Sequence, residues 1–417
     1  MTVGLLVVML VTAVFALVAK RLSTTVITAP MVFLALGYLA SLTGLLPHEE
    51  IVHALHLVAE IALVVLLFLD AAQMDVMAFR KRHVWPVRML AIGLPLTIAL
   101  GTLAAFPFLD GWPLVGVALV AAILAPTDAA LGQAVVTNPL VPERVRRALT
   151  VESGLNDGLA LPAVLLFASL AAEAMDSEQT SWLVFAAKQL ILGPVAGLVI
   201  GLTGAKLLLL AKDRNLTSTI YEGIAALALA FACYLAANAI GGNGFIAAFT
   251  GGLTFGAIVQ GRCKFVYEFT ESEGQMLAWA AFFLLGLALV PDAIQQLTWS
   301  SLAIILISLF IVRPLAIWLS LIGTDAAPVT RLFFGWFGPR GLATALFALL
   351  ILEQITDALS APVLALAINA VWISALLHGL SAMPAAKRYA KVIAAMGPCA
   401  ETQAMDKSDS PLAPRDP

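Results

Sequence analysis

The chain is 417 residues long, 61% hydrophobic and only 12% charged, with a formal net charge of −3. A mean hydropathy of +0.98 excludes a soluble globular domain and places the chain among polytopic membrane proteins. No basic stripe or aromatic-basic interleaving suggests nucleic acid. The three cysteines, Cys233, Cys263 and Cys399, have neither metal or redox spacing nor a disulfide framework.

Apolar runs of membrane-spanning length fall at 3–19, 25–46, 51–72, 84–106, 113–137, 148–172, 181–211, 218–240, 243–260, 275–290, 299–322, 329–353 and 360–384. They predict an all-α polytopic membrane protein of about thirteen transmembrane helices in a domain covering 1–386. A short polar tail, 387–417, is expected to be disordered. The first run precedes Lys20-Arg21 rather than following a positive charge, so it reads as a span and not as a cleaved signal. Alternate loops carry Lys20/Arg21, Arg80/Lys81/Arg82, Arg144/Arg146/Arg147, Lys212/Arg214 and Arg262/Lys264, with Lys387/Arg388/Lys391 after the last run. The intervening loops carry His48/Glu49/Glu50, Asp110, Glu173/Asp176/Glu178, Asp292 and Asp357. By the positive-inside rule the N-terminus lies outside and the C-terminus in the cytoplasm, as in a bacterial inner membrane.

Taken in chain order, the polar residues inside these runs carry the functional signal. Two histidines near the third run, His53 and His56, read as a solvated helix start rather than a metal site. Asp70 ends the third run and could face a cavity, while Asp75 caps the helix or pairs with Arg80 or Lys81. In the fifth run Pro126 interrupts Ala125-Pro126-Thr127-Asp128, and the freed carbonyls, Thr127 and Asp128 can cradle a cation. The sixth run holds Glu152, Ser153, Asn156 and Asp157, at a depth where one ionised side chain costs about 2.5–3.5 kcal/mol.

Ser153 and Asp157 share a helix face at i,i+4, as do Ser153 and Asn156 at i,i+3. Asp157 is the expected carrier, because burial penalises the bare anion and leaves it holding either a proton or a cation. Glu152 is turned by about 140° from Asp157 and is expected to pair with Arg340, the isolated charge in Gly338-Pro339-Arg340-Gly341 of the twelfth run. Arg313-Pro314 in the eleventh run reads as structural or as lining a cytoplasmic funnel. Two proline-broken spans in the two halves of a bundle are the sequence mark of a transporter site between inverted repeats.

Ala125-Pro126-Thr127-Asp128, Glu152-Ser153-Gly154-Leu155-Asn156-Asp157-Gly158 and Gly335-Trp336-Phe337-Gly338-Pro339-Arg340-Gly341 together resemble the monovalent cation:proton antiporter family that includes NhaP-type proteins and eukaryotic sodium/proton exchangers. The resemblance implies an inverted-repeat fold with a core domain and a dimerisation domain, a homodimer, and no enzymatic activity or bound cofactor. The transported species it implies are Na+, with K+ or Li+ as alternatives, and H+.

By position it assigns Asp157 as the site where cation and proton alternate, Ser153 as a ligand, and Asp128 and Thr127 as partners from the broken helix. Glu152 and Arg340 become a buried ion pair and Asn156 the neutral member of the Asn156-Asp157 pair, which the resemblance associates with electroneutral one-for-one exchange. Two departures stand out. Pro126 precedes rather than follows the Thr-Asp pair, and Leu69 separates Phe68 from Asp70, which leaves direct ligation by Asp70 open.

An ion-coupled solute symporter or a cation channel remains the alternative from physics alone. An intramembrane serine hydrolase fits poorly, because Ser153 lacks both a neighbouring histidine motif and a Gly-x-Ser-x-Gly context.

Overall fold

In a computed structural model, the described residues are 2–22, 25–44, 48–73, 84–175, 182–260, 262–263, 274–352 and 354–403. Among them every regular element is helical. In chain order these are α1 (Thr2–Leu22), α2 (Ala29–Ser41) and α3 (His48–Ala72), then α4 (Val84–Phe108). Next come α5 (Leu114–Ile123), α6 (Ala129–Val136), α7 (Glu143–Met175), α8 (Trp182–Asp213), α9 (Thr219–Ala239), α10 (Gly244–Val259), α11 (Gln275–Ala288) and α12 (Val290–Gln295). The chain continues through α13 (Trp299–Ser320) to α14 (Pro328–Trp336), α15 (Leu342–Leu350) and α16 (Asp357–Met396). Each of the thirteen apolar runs falls on helix. Of these elements α3, α4, α7, α8, α9, α13 and α16 are long and apolar enough to cross a membrane, and the chain is a multi-pass membrane protein.

The helices pack as two adjoining groups. α10 lies against α8, α9 and α3, and α11 against α2 and α3, forming one side of the molecule. α4 to α7 and α13 to α16 form the other, and α3 meets α7 and α15 where the two sides join.

Two features of this second side follow from proline chemistry. The fifth and twelfth runs are each split, leaving irregular backbone at 124–128 and 337–341, because Pro126 and Pro339 donate no N–H and crowd the preceding turn. In α4 and α13 the proline is absorbed instead. Each helix widens into a π-turn, Met89–Gly93 and Ser308–Val312, directly before Leu94-Pro95 and Arg313-Pro314. The carbonyl that each proline ring would strike lies inside the widened turn. The extra residue also turns everything after it by about 100°, which decides where Arg313 points.

The end of the chain differs from the sequence expectation. The disordered tail assigned to 387–417 begins inside α16, which continues to Met396, and Ala400–Thr402 adds a 3-10 turn. Tyr389 and Ile393 are buried, and the Tyr389 ring stacks on Phe333 at 4.1 Å. That apolar face keeps the segment helical despite its charged opposite face. Glu401 accepts the Ala327 N–H and the Thr330 hydroxyl, each at 2.8 Å, and so caps α14. Arg144, at the start of α7, donates to Ala400 O and to Asp325, both at 2.8 Å, and lies over the Trp85 ring. Residues 404–417 lie outside the described residues, as do Asp75, Arg80, Lys81, Arg82 and Lys264.

This capped end is pH-dependent. Burial pushes the Glu401 carboxyl up, but the bonds from Ala327 and Thr330 outweigh it and hold it below its ordinary 4.5. At Asp325 burial likewise pushes up, and Arg144 and Trp85 bring it below 3.8. Both anions are favoured by folding, so their contribution is complete above the ordinary values and disappears as pH falls through the lowered ones. Amide exchange at Ala327–Arg331, corrected for intrinsic rate, is expected to stay slow at neutral pH and accelerate below about pH 4. In Glu401→Gln the acceleration is expected to be largely gone; equal pH dependence in both proteins would remove Glu401 as its source.

Candidate functional site

The two breaks lie against each other and complete each other's backbone. The Asp128 N–H donates to Pro339 O, and the Leu342 N–H donates to the Asp128 carboxylate, both at 2.9 Å. Asp128 therefore caps the N-terminus of α15, where the helix dipole favours an anion. Gly341 makes the approach possible, since a Cβ there would overlap the Asp128 carboxyl. Arg340 does the converse for the carbonyl ends. It donates to Ala125 O at 3.2 Å, Pro126 O at 3.4 Å and Gly338 O at 3.3 Å, and to the Ser308 hydroxyl at 3.2 Å.

This corrects the expected Glu152–Arg340 ion pair. The partner of Glu152 is Arg313, whose Nη1 and Nη2 reach the carboxylate at 3.1–3.2 Å. Both side chains are 3% exposed. The reason is geometric: C-terminal helix ends converge at the crossing and take up the fork of Arg340, while the π-turn of α13 brings Arg313 to α7. Gly338 leaves room for the Arg313 guanidinium, which a Cβ would strike.

Around this pair the polar residues of α7 grip the first break. The Asn156 amide donates to the Thr127 hydroxyl and, at 3.4 Å, to Glu152. Thr127 in turn donates to Glu152 at 3.3 Å and lies 3.2 Å from the Ser153 hydroxyl. A hydroxyl has one proton and two lone pairs, so Ser153 donates to Thr127, and the Thr127 side chain is fully used. Thr127, expected as a ligand, thus spends its side chain on the break, whereas Ser153 keeps oxygen lone pairs for a ligand. Glu152, Asn156, Thr127 and Arg340 are all at most 2% exposed.

Asp157, Ser153, Asp128 and Asp70 line one cavity of about 340 Å³. At about 30 Å³ per water it holds roughly ten waters, enough to admit a hydrated ion. The exposed Thr137 and Thr150 open it to the surface near Arg146 and Arg147, and Gln275 lines it from the start of α11. One wall bears Asp157, Ser153 and Asp128; the other is mostly apolar, with Leu63, Leu66, Leu67, Ala278 and Trp279 beside Asp70 and Gln275. Beyond the carboxylates the buried Phe249 ring rests on Gly158. Asp157 Oδ1 is buried with no hydrogen-bond partner. Among the described residues no three His, Cys, Asp or Glu side chains converge closely enough to hold a metal ion.

Ser153 faces Thr127 and no imidazole. The buried His378 is engaged with Ser374 and Trp336 on α16 and α14. Sequence reasoning missed the role of Arg313 and the Ser308, Ser374 and His378 bonds. The one available signal was the recurrence of X-Pro at Leu94-Pro95 and Arg313-Pro314. His56 is exposed, and the side chain of His53 lies outside the described residues.

Comparisons with known proteins identify the family and the fold. Residues 6–388 match the family described as sodium/hydrogen exchanger, transmembrane. The K(+)/H(+) antiporter NhaP of Alkalimonas amylolytica is 29% identical over 82% of this chain and 58% of its own length. The K(+)/H(+) antiporter NhaP2 of Shewanella oneidensis is 30% identical over 81% and 59%. The chain thus spans somewhat over half the length of these relatives. The structure of the sodium proton antiporter MjNhaP1 from Methanocaldococcus jannaschii at pH 8 shares the fold. Its TM-score is 0.75 at 20% identity, over 93% of this chain and 99% of that one. With broken helices, buried carboxylates and a family match running through nearly all the helices, the chain belongs to the sodium/hydrogen exchanger, transmembrane family.

Proposed function

We propose that this chain is a secondary antiporter in which one monovalent cation and one proton compete for Asp157. The observation that carries it is the unpartnered, buried Oδ1 of Asp157, a residue that lines the cavity of about 340 Å³ together with Ser153 and Asp128. A carboxylate oxygen buried without a donor is stabilised by taking a proton or a cation. Asp157 is also the one uncommitted acid on its wall. Glu152 is matched by Arg313, and Asp128 is held at the α15 N-terminus. With Asn156 neutral, one charge enters for each charge that leaves, which supports electroneutral exchange. Asp70 adds a second, opposite oxygen as the ion arrives.

With the basic loops in the cytoplasm, the mouth at Thr137 and Thr150 faces inward and the C-terminus is cytoplasmic, in an inner membrane. α4 to α7 and α13 to α16 form the moving core, and the other side dimerises. For the ion, the family resemblance points to Na+. The sequence relatives are named for K+, and ligand chemistry is the same for both.

The test is dequenching of a pH dye in proteoliposomes by Na+ and K+ pulses, with and without a valinomycin clamp. Dequenching that is insensitive to voltage is expected, and the larger response identifies the ion. Cation-independent proton leak, or uptake of a solute that requires Na+, would replace the antiporter by a channel or a symporter.

A further inference from the structure

A break in a helix at membrane depth leaves backbone groups that must find partners within the protein. For the first break those partners are Arg340 and the Pro339 carbonyl, and α7 anchors it further through the Thr127 hydroxyl. For the second, the structure gives a matching set on α16. The Arg340 N–H donates to the Ser374 hydroxyl at 2.7 Å. Ser374 Oγ lies 3.1 Å from His378 Nδ1, and His378 Nε2 lies 2.8 Å from Trp336 O. The Trp336 ring stacks on the imidazole at 4.8 Å, and its indole N–H donates to Ser381 at 2.9 Å. Ser374 and His378 are 0% and 1% exposed.

A neutral ring satisfies the hydroxyl and the Trp336 carbonyl and leaves only the 2.9 Å approach of Nδ1 to Ser374 O without a proton. Arg340 N–H gives to Ser374, whose hydroxyl proton goes to Nδ1, and Nε2–H gives to the Trp336 carbonyl. This is a neutral imidazole. The protonated ring could instead donate to the carbonyls of Ser374 and Trp336, but the charged groups facing it, Arg340 from the break and Arg313 from α13, are both cations. The single buried anion near them, Glu152 of α7, is already held by Arg313. A third positive charge would be uncompensated.

We propose that Ser374 and His378 are positioning residues: a neutral strut of α16 that fixes the second break, and through the Leu342 N–H sets the Asp128 carboxylate at the cation site. The link runs over three residues of backbone, from Arg340 at one end of the strut to Leu342, which holds Asp128. The inference rests on the proposed antiport only for its transport readout.

Ser374→Ala, His378→Ala and His378→Gln in the full chain test it by two measurements. In Ser374→Ala and His378→Ala the apparent KM for the cation is expected to rise about tenfold, the size of one buried hydrogen bond left unmade, with maximal rate nearly unchanged. Amide exchange at Arg340 and Leu342 is expected to accelerate in both. His378→Gln keeps a donor toward Trp336 O and is expected to retain most of the affinity and the wild-type pH profile.

Wild-type KM in both alanine variants overturns the strut, and so does unchanged amide exchange. A pH profile displaced in His378→Gln replaces the neutral strut by a titrating histidine. Should His378→Ala not fold, Ser374→Ala, which removes one oxygen, decides alone. Absence of antiport in the wild-type protein would count against the proposed function and leave the exchange measurement to judge the strut.

Discussion

Asp157→Asn protein, reconstituted at wild-type density, is expected to show cation-driven proton movement at about a hundredth of the wild-type rate or less. Removing a full charge from about 4 Å of a cation costs about 4 kcal/mol at an effective dielectric constant near 20, close to a thousandfold in affinity. The amide also cannot carry a proton, so coupling goes with binding. Asp157 Oδ1 has no hydrogen-bond partner, so the substitution deletes no bond at that atom, and the folded protein is expected to survive. Asp128→Asn is the informative contrast. Its remaining oxygen still accepts the Leu342 N–H, so the α15 cap persists and only charge is lost. Activity in Asp157→Asn above a tenth of wild type would move the carrier elsewhere, with Asp70 first in line.

The second large effect concerns stability. Glu152→Gln leaves the Arg313 guanidinium buried without its counter-ion, and breaking a buried pair by removing one partner costs about 3–5 kcal/mol. A drop in detergent melting temperature is expected for Glu152→Gln and for Arg313→Gln, and the double neutral variant is expected to recover much of it. The same cycle with Arg340 gives the contrast, because Arg340 spends its donors on the carbonyls of Ala125, Pro126 and Gly338. Coupling between Glu152 and Arg313 should therefore exceed that between Glu152 and Arg340, by about 1 kcal/mol or more. Equal couplings would contradict the pairing seen here.

The sequence alone was enough for the all-helical membrane class and for both breaks, because long apolar runs and intramembrane proline have few structural meanings. It also brought Asp157, Ser153, Asp128 and Glu152 to one region, since i,i+4 spacing on α7 and the proline at 126 are local facts. The partner of Glu152 was not legible. Two arginines, 313 and 340, each sit beside a proline inside an apolar run. Choosing between them requires the phase of α13 after its π-turn, which a regular 3.6-residue period misplaces. The Thr127 hydroxyl was assigned to the ion because its bonds to Glu152, Ser153 and Asn156 join residues about 25 positions apart. The helical 387–396 was hidden because its buried stripe of Ala386, Tyr389 and Ile393 is narrow beside the surrounding charges.

The two walls of the cavity differ in kind, and this bears on how smoothly they can slide. The carboxylate wall is cross-tied, each broken helix holding the other's loose backbone, so its helices shift as a block or not at all. The facing wall of Leu63, Leu66, Leu67, Ala278 and Trp279 offers it almost nothing but dispersion contacts. Such contacts are weak singly and re-form at each new position. Displacement along this face therefore encounters little friction, with Asp70 and Gln275 as its polar points.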